Sequence, residues 1–368
     1  MPERLSRNDL NFSGGPGVLP ASVLAETQQA ILAVPDVGLS ILGISHRSDW
    51  FADVVAEAER NIRRLLQLPD SHVVLFLQGG ATLQFSMVPL LLLRNRGKTA
   101  EYLRTGYWSS KAIPPARCEG DARILWDGEP EGFCRLPAAA ELTCSADAAY
   151  LHYVSNETVE GLQFHDLPGL DGVTRVCDMS SDFLSRPIDV SRFDLIYAHA
   201  QKNLGPAGAT VVIIRRALLD QAPDDLPEYL DYRAHLAAGS IYNTPPVFAI
   251  YVILLVTRWL LRDIGGLDAM AAINRAKADA LYRTLDESRG FYANRIATEN
   301  RSLMNVVFRL PAAALEVGFL RQAEAAGFSG LGGHRSNGGI RASLYNAMTP
   351  AAVAALIDFM RRFQQRNG

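Results

Sequence analysis

The sequence is poor in cysteine, and the four it has, Cys118, Cys134, Cys144 and Cys177, are spaced neither as a zinc site nor as a CxxC redox pair. Reduced thiols and a cytoplasmic location are the expectation. A run long enough to cross a bilayer is missing. The most apolar stretch, Val247 to Val256, has about half the needed length, and Arg258 and Arg262 follow it. It reads as a helix buried inside the protein or at a subunit contact. The opening residues, Met-Pro-Glu-Arg-Leu-Ser-Arg, hold no apolar core, which argues against a signal peptide. A large charge of one sign is also missing. At −3, the net charge excludes nucleic acid and anionic membranes as expected partners. Neither internal repeats nor low-complexity linkers occur.

What is present is a full core and a regular alternation. Apolar residues make up 48% of 368 residues, enough for one large or two medium globular domains. Short apolar runs at Val73–Leu77, Ala148–Tyr153, Val173–Cys177, Leu195–Ala198 and Val211–Ile214 alternate with helical stretches such as Leu83–Leu93. Such runs predict a mostly parallel sheet covered on both faces, an α/β architecture. The texture changes after Asp263. A long amphipathic helix at Ala269–Leu285 precedes a strand at Asn305–Leu310, a helix near Ala313–Ala326, a strand at Gly339–Ser343 and a last helix from Pro350 to Arg366. We expect a large domain over residues 15–262 and a smaller α/β domain over 263–368, joined by the N-terminal residues 1–14.

Chemistry gathers at a few places. Lys202 stands between an apolar strand and the loop Asn-Leu-Gly-Pro-Ala-Gly208. A lysine in apolar surroundings has a lowered pKa, and a neutral amine can attack a carbonyl. Asp178 closes another strand, 24 residues earlier. Two successive strand ends joined by a crossover could point both groups into one crevice, where a carboxylate keeps a pyridinium nitrogen protonated. Gln78-Gly-Gly-Ala-Thr-Leu-Gln84 lies between strand and helix. It suits a phosphate at a helix N-terminus and equally an ordinary capped turn. It has neither a Walker lysine nor GxGxxG spacing. Trp108 offers a flat face for stacking, and Thr158 a hydroxyl. Ser45-His46-Arg47 and the late segment His334-Arg335 with Arg341 bring arginine forks, which match carboxylates and phosphates. Two anion clamps imply a substrate with two anionic ends.

Together these residues resemble the phosphoserine aminotransferases, fold type I pyridoxal-phosphate enzymes of aminotransferase class V. The resemblance runs from Asn11-Phe-Ser-Gly-Gly-Pro-Gly-Val-Leu-Pro20 to the last helix. It is carried by Ser45-His-Arg47, Thr105-Gly-Tyr-Trp108, Asn156-Glu-Thr158, Leu184-Ser-Arg-Pro-Ile-Asp189, Ala200-Gln-Lys-Asn-Leu-Gly-Pro-Ala-Gly208, Tyr242-Asn-Thr-Pro-Pro246, Gly333-His-Arg335 and Gly339-Ile-Arg-Ala-Ser-Leu-Tyr-Asn346. It implies a seven-stranded sheet and pyridoxal 5'-phosphate, held by Lys202 as a Schiff base. Asp178 would bind the ring nitrogen, Trp108 would stack on the ring and Thr158 would contact its oxygen side. Ala81, Thr82 and Gln201 would carry the phosphate. Asn243 and Thr244 would reach that phosphate from the second subunit of a homodimer. Arg47 and Arg341 would grip substrate carboxylates. His46, His334 and Arg335 would face the substrate phosphate, with His46 and Arg47 crossing the dimer interface.

The implied reaction moves the amino group of L-glutamate to 3-phosphohydroxypyruvate, a step of serine biosynthesis, with 4-phosphohydroxy-threonine of vitamin B6 synthesis as a second substrate. Two departures stand out. Thr82 replaces an arginine of some relatives, and Gly14 a serine, so no role is carried to Gly14. A desulfurase would need a late cysteine, and none lies beyond position 177. The retained lysine, aspartate and arginines argue against a non-catalytic binder.

Overall fold

The computed structural model describes residues 5–166 and 172–368, so residues 1–4 of the expected N-terminal segment lie outside it. Nine strands form in the first part of the chain: β1 (His72–Gln78), β2 (Thr99–Arg104), β3 (Asp121–Asp127), β4 (Ala148–Val154), β5 (Asn156–Glu157), β6 (Leu162–Gln163), β7 (Arg175–Asp178), β8 (Leu195–His199) and β9 (Ala209–Arg215). Seven of them make one sheet in the order β1-β9-β8-β7-β4-β2-β3. β9 runs antiparallel to both neighbours and the other pairs are parallel. The short β5 and β6 form a hairpin of their own.

Helices α1 (Ala21–Leu32), α2 (Asp49–Leu66), α3 (Ala81–Leu92), α4 (Tyr107–Arg117), α5 (Arg216–Leu219), α6 (Tyr232–Ala237) and α7 (Val247–Trp259) surround the sheet. Alternation along β1 feeds both faces. Val74 and Phe76 pack with α2 and α7, and Val73, Leu75 and Leu77 pack with α3 and α4. Buried on both sides, β1, β4, β7, β8 and β9 need continuous apolar runs, which is why they were visible as such. α7, from Val247, is buried through most of its length and contacts α2 and α1, so its apolar run reflects internal packing.

The remainder builds a separate layer. α8 (Leu267–Glu287), β10 (Asn305–Phe308), α9 (Ala313–Ala325), β11 (Ile340–Ser343) and α10 (Pro350–Asn367) follow, with β10 and β11 paired antiparallel. Their core joins Leu281, Phe308, Phe319 and Leu356 to Leu10 and Phe12 of the N-terminal segment. An isolated bridge from Asn11 to Ser329 fixes that segment there. Thr349 caps α10 by accepting from Ala352 N, ahead of Pro350 in the first turn.

Candidate active site

Carboxyl ends of parallel strands are where an open α/β sheet binds ligands, and five such ends converge here. β7 ends on Asp178. Three residues after β8 comes Lys202. β1 leads through Gly79 and Gly80 into α3 with Ala81 and Thr82. β2 leads into α4, whose first turn carries Trp108, and β4 leads into the Asn156–Thr158 hairpin. A cavity of about 160 Å³ is lined by Ala81, Thr82, Trp108, Thr158, Asp178, Gln201 and Lys202. All seven were expected on one ligand, and the fold brings them together.

Lys202 is buried, and its Nζ donates to Thr158 Oγ1 at 2.5 Å. The same nitrogen lies 5.6 Å from the Trp108 ring centre. Burial pushes the amine down to about 8, and the Asp178 carboxylate works against that push. Burial in turn raises the Asp178 carboxyl, while Ser180 and Lys202 draw it back. Ser180 N donates to Asp178 Oδ1 at 2.8 Å. An amine and a carboxylate thus line one cavity, with burial shifting each toward its neutral form and each charge favouring the other's. No side chain caps α3, and while Leu83 N donates to Gly80 O, the N–H groups of Ala81 and Thr82 are available to an anion. Trp108 Nε1 is buried without a protein partner.

Further residues line the cavity that the sequence reading did not pick out: Asn156, Ser180, Ser181 and His199. His199 is the most specific of them. Thr210 Oγ1 donates its single hydrogen to the Gly79 carbonyl at 2.9 Å, so it must accept from His199 Nδ1 at 3.1 Å. The neutral imidazole is therefore the Nδ1–H tautomer. The available signal was the position itself, at the end of a strand that runs into Lys202.

The basic residues divide. Arg341, on β11, is partly buried, and burial lowers its pKa. Its Nε has no protein partner. A Cβ at Gly14 would stand 2.3 Å from Arg341 Nη2, so the glycine lets the guanidinium lie against the N-terminal loop. His334 packs on Tyr107, ring centres 4.6 Å apart, next to Trp108. Burial lowers its pKa, with the Arg341 and Arg335 charges adding to the effect. Arg335 itself is exposed. None of His334, Arg335, Arg341, His46, Arg47, Asn243 and Thr244 is among the residues lining the Lys202 cavity, and Arg341 lines a different one with Glu160. Thr244 instead offers its carbonyl to Gln78 Nε2, beside the Gly79 turn.

This chain matches the family Aminotransferase class-V over residues 10–356. It is 52% identical over 358 residues to the phosphoserine aminotransferase of Laribacter hongkongensis, covering 97% of this chain and 99% of that one. The chain belongs to the phosphoserine aminotransferases of class V. A solved phosphoserine aminotransferase from Bacillus circulans subsp. alkalophilus superposes with a TM-score of 0.94 at 43% identity, over 97% of this aminotransferase and 98% of that chain. Another, from Trichomonas vaginalis and bound to PLP, gives 0.90 at 36% identity over 96% and 99% of the two chains. The seven-stranded α/β fold of this aminotransferase is thus the fold of its relatives.

Proposed function

We propose that this chain transfers the amino group of L-glutamate to 3-phosphohydroxypyruvate, giving 2-oxoglutarate and O-phospho-L-serine. The observation that carries the reading is the buried pair of Lys202 and Asp178, closing one cavity under an indole. Pyridoxal 5'-phosphate fits the donors present. A buried amine meets an aldehyde, a carboxylate meets a ring nitrogen, an aromatic face meets the ring, and an uncapped helix N-terminus meets the phosphate. When bound, the cofactor supplies the electron sink that makes a substrate Cα proton removable.

The protein does the rest. Lys202 Nζ holds the cofactor and then moves the proton to and from substrate Cα. Asp178 keeps the ring nitrogen protonated, Thr158 orients the ring's oxygen side and Trp108 fixes the ring plane. Ala81, Thr82 and Gln201 hold the phosphate end, with Thr82 giving a hydroxyl in place of a charge. Arg341 binds a substrate carboxylate, and His334 and Arg335 the far anionic group. Both substrates carry at least two negative charges, so one basic pocket serves each in turn.

The assembly is a homodimer with shared sites. His46, Arg47, Asn243 and Thr244 lie outside the Lys202 cavity, as His334, Arg335 and Arg341 do, and the first four serve the partner's site. Four large apolar side chains, Ile31, Leu32, Leu39 and Leu42, are exposed along α1 and the turn after it, a surface that a second copy would cover. The chain divides into 15–262 and 263–368 with 1–14, supported by the separate core that joins Leu10 and Phe12 to the last three helices. No helix among the described residues is long and apolar enough to cross a membrane. Its four free cysteines suit the reducing cytoplasm.

A coupled assay comparing phosphorylated with unphosphorylated hydroxypyruvate as amino acceptor tests the substrate, with the 4-phosphohydroxy-threonine pair as a further arm. We expect kcat/KM at least tenfold higher with the phosphorylated acceptor. Equal values would remove the phosphate from the reading.

A further inference from the structure

The reading above leaves two buried acids without a task. Glu157 and Glu160 flank the hairpin residue Thr158, and both aim at the N-terminus of α4. Glu157 is almost fully buried. Its Oε2 accepts from Trp108 N at 3.1 Å, and its Oε1 from Ser109 N at 3.0 Å and Thr105 Oγ1 at 3.3 Å. Glu160 Oε1 accepts from Tyr107 N at 3.0 Å. Three successive first-turn N–H groups of one helix are therefore satisfied by acids from a hairpin about fifty residues away. Gly106 makes room for this. A Cβ there would lie 2.3 Å from Glu160 Oε2 and 2.7 Å from Glu157 Cδ. Ser109 Oγ completes the turn by accepting from Thr105 N at 2.8 Å and Gly106 N at 2.9 Å.

We propose that Glu157 is a positioning residue, whose carboxylate clamps the first turn of α4 and so sets the indole of Trp108 over Lys202. The same hairpin carries Thr158, the hydroxyl that receives Lys202 Nζ. One rigid segment thus fixes the ring-stacking group from behind and the lysine from in front. An acid at a helix N-terminus is favoured by the dipole, and its hydrogen bonds to N–H groups are charge-assisted. Burial raises the Glu157 carboxyl while the donors of Ser109 and Trp108 draw it back, and its charge favours the protonated form of Lys202. The inference rests on the cavity being the cofactor site.

Glu157→Gln is the decisive variant. It can keep the oxygen toward Ser109 N and Thr105 Oγ1, yet it sets an NH₂ against Trp108 N–H, donor against donor. The test is a double-mutant cycle with Trp108→Phe, read by pyridoxal-phosphate affinity from equilibrium dialysis and by the induced circular dichroism of the bound cofactor. Tryptophan emission of the cofactor-free protein is a third readout. We expect E157Q to weaken cofactor binding roughly tenfold and to shift both spectra. In the W108F background the further loss should stay below about twofold. Equal losses in both backgrounds, or an unchanged Trp108 emission, would overturn the proposal. Should E157Q fail to fold, E157D takes its place in the same cycle. It keeps the charge but not the reach, so an intermediate loss confined to the Trp108 background supports the clamp, and a background-independent loss overturns it. Wild-type protein that binds no cofactor would instead sink the functional reading, while the emission measurement would still report on the clamp.

Discussion

At the residue scale, Lys202 concentrates the chemistry. Its amine falls to about 8 because it is buried, despite Asp178. The neutral fraction, and with it the rate at which cofactor-free protein captures pyridoxal phosphate, should rise about tenfold per pH unit up to about pH 8 and then level. Stopped-flow absorbance across roughly pH 6 to 10 measures this; a rate still climbing at the high end would describe a solvated lysine. Lys202→Ala should lose turnover and the visible absorption of the bound cofactor, while keeping its fold. A mutant with full activity would disprove the assignment. The sequence singled this lysine out less for its place at the end of an apolar strand, where a lone lysine is more often a solvated loop residue, than for the company of Asp178 and the arginines. The protonation of His199 was not legible there. Its tautomer depends on Thr210 and Gly79, partners set by sheet pairing.

A second lysine shows how burial alone misleads. Lys277 of α8 is buried, which pushes it down to about 7. Its Nζ donates to the carbonyls of Leu344, Tyr345 and Met348, each at 2.9 Å. Three acceptors match the three N–H groups of an ammonium and not the two of an amine, so the carbonyls hold the proton that burial would expel. Lys277→Met should cost roughly 2–4 kcal/mol in urea unfolding, as three buried carbonyls lose their donor. Unchanged stability would mean that the cost of burying the cation cancels its bonds.

At the element scale, the site is held by loops tied to distant loops. Asn203, next to Lys202, accepts from Asn346 N at 3.0 Å. Asn346 Nδ2 donates to Leu184 O at 2.9 Å, and its Oδ1 accepts from Asn274 Nδ2 at 2.9 Å. Leu184 sits at φ 55°, a left-handed conformation unusual for leucine. Asn346 thus ties the Lys202 loop, a strained turn and α8 together. Asn346→Ala should lower stability by about 2–3 kcal/mol, checked by denaturant titration of the cofactor-free protein. A loss below about 0.5 kcal/mol would show that water replaces the network. Of the five strands that end at the site, β1, β4, β7 and β8 were readable from apolar runs alone. Helix α4 was not, since Pro114 and Pro115 break its later pattern and its cap comes from Glu157 and Glu160 instead of a local residue. The strands β2 and β3 also escaped notice. They hold Glu101, paired with Arg123 at 2.5 Å, a charge that hides a buried strand from a hydrophobic reading.

At the scale of the whole molecule, a single chain brings seven of the nine expected cofactor residues to one cavity and leaves Asn243 and Thr244 outside it. The proposed homodimer would account for both facts. Leu42→Asp, on the exposed apolar surface after α1, should shift the protein toward monomer in sedimentation and lower kcat/KM at least tenfold, with pyridoxal phosphate more easily lost. A dimer that persists with full activity would place the interface elsewhere.

The sequence by itself determined the α/β architecture and the strand ends that bear Lys202 and Asp178. Periodicity is local, and a strand covered on both faces must be apolar throughout. Tertiary structure alone decided which hydroxyl receives the Lys202 amine, which tautomer His199 takes and what holds Trp108 in place. Those depend on hydrogen bonds between residues tens of positions apart, and such bonds exist only once the chain has packed.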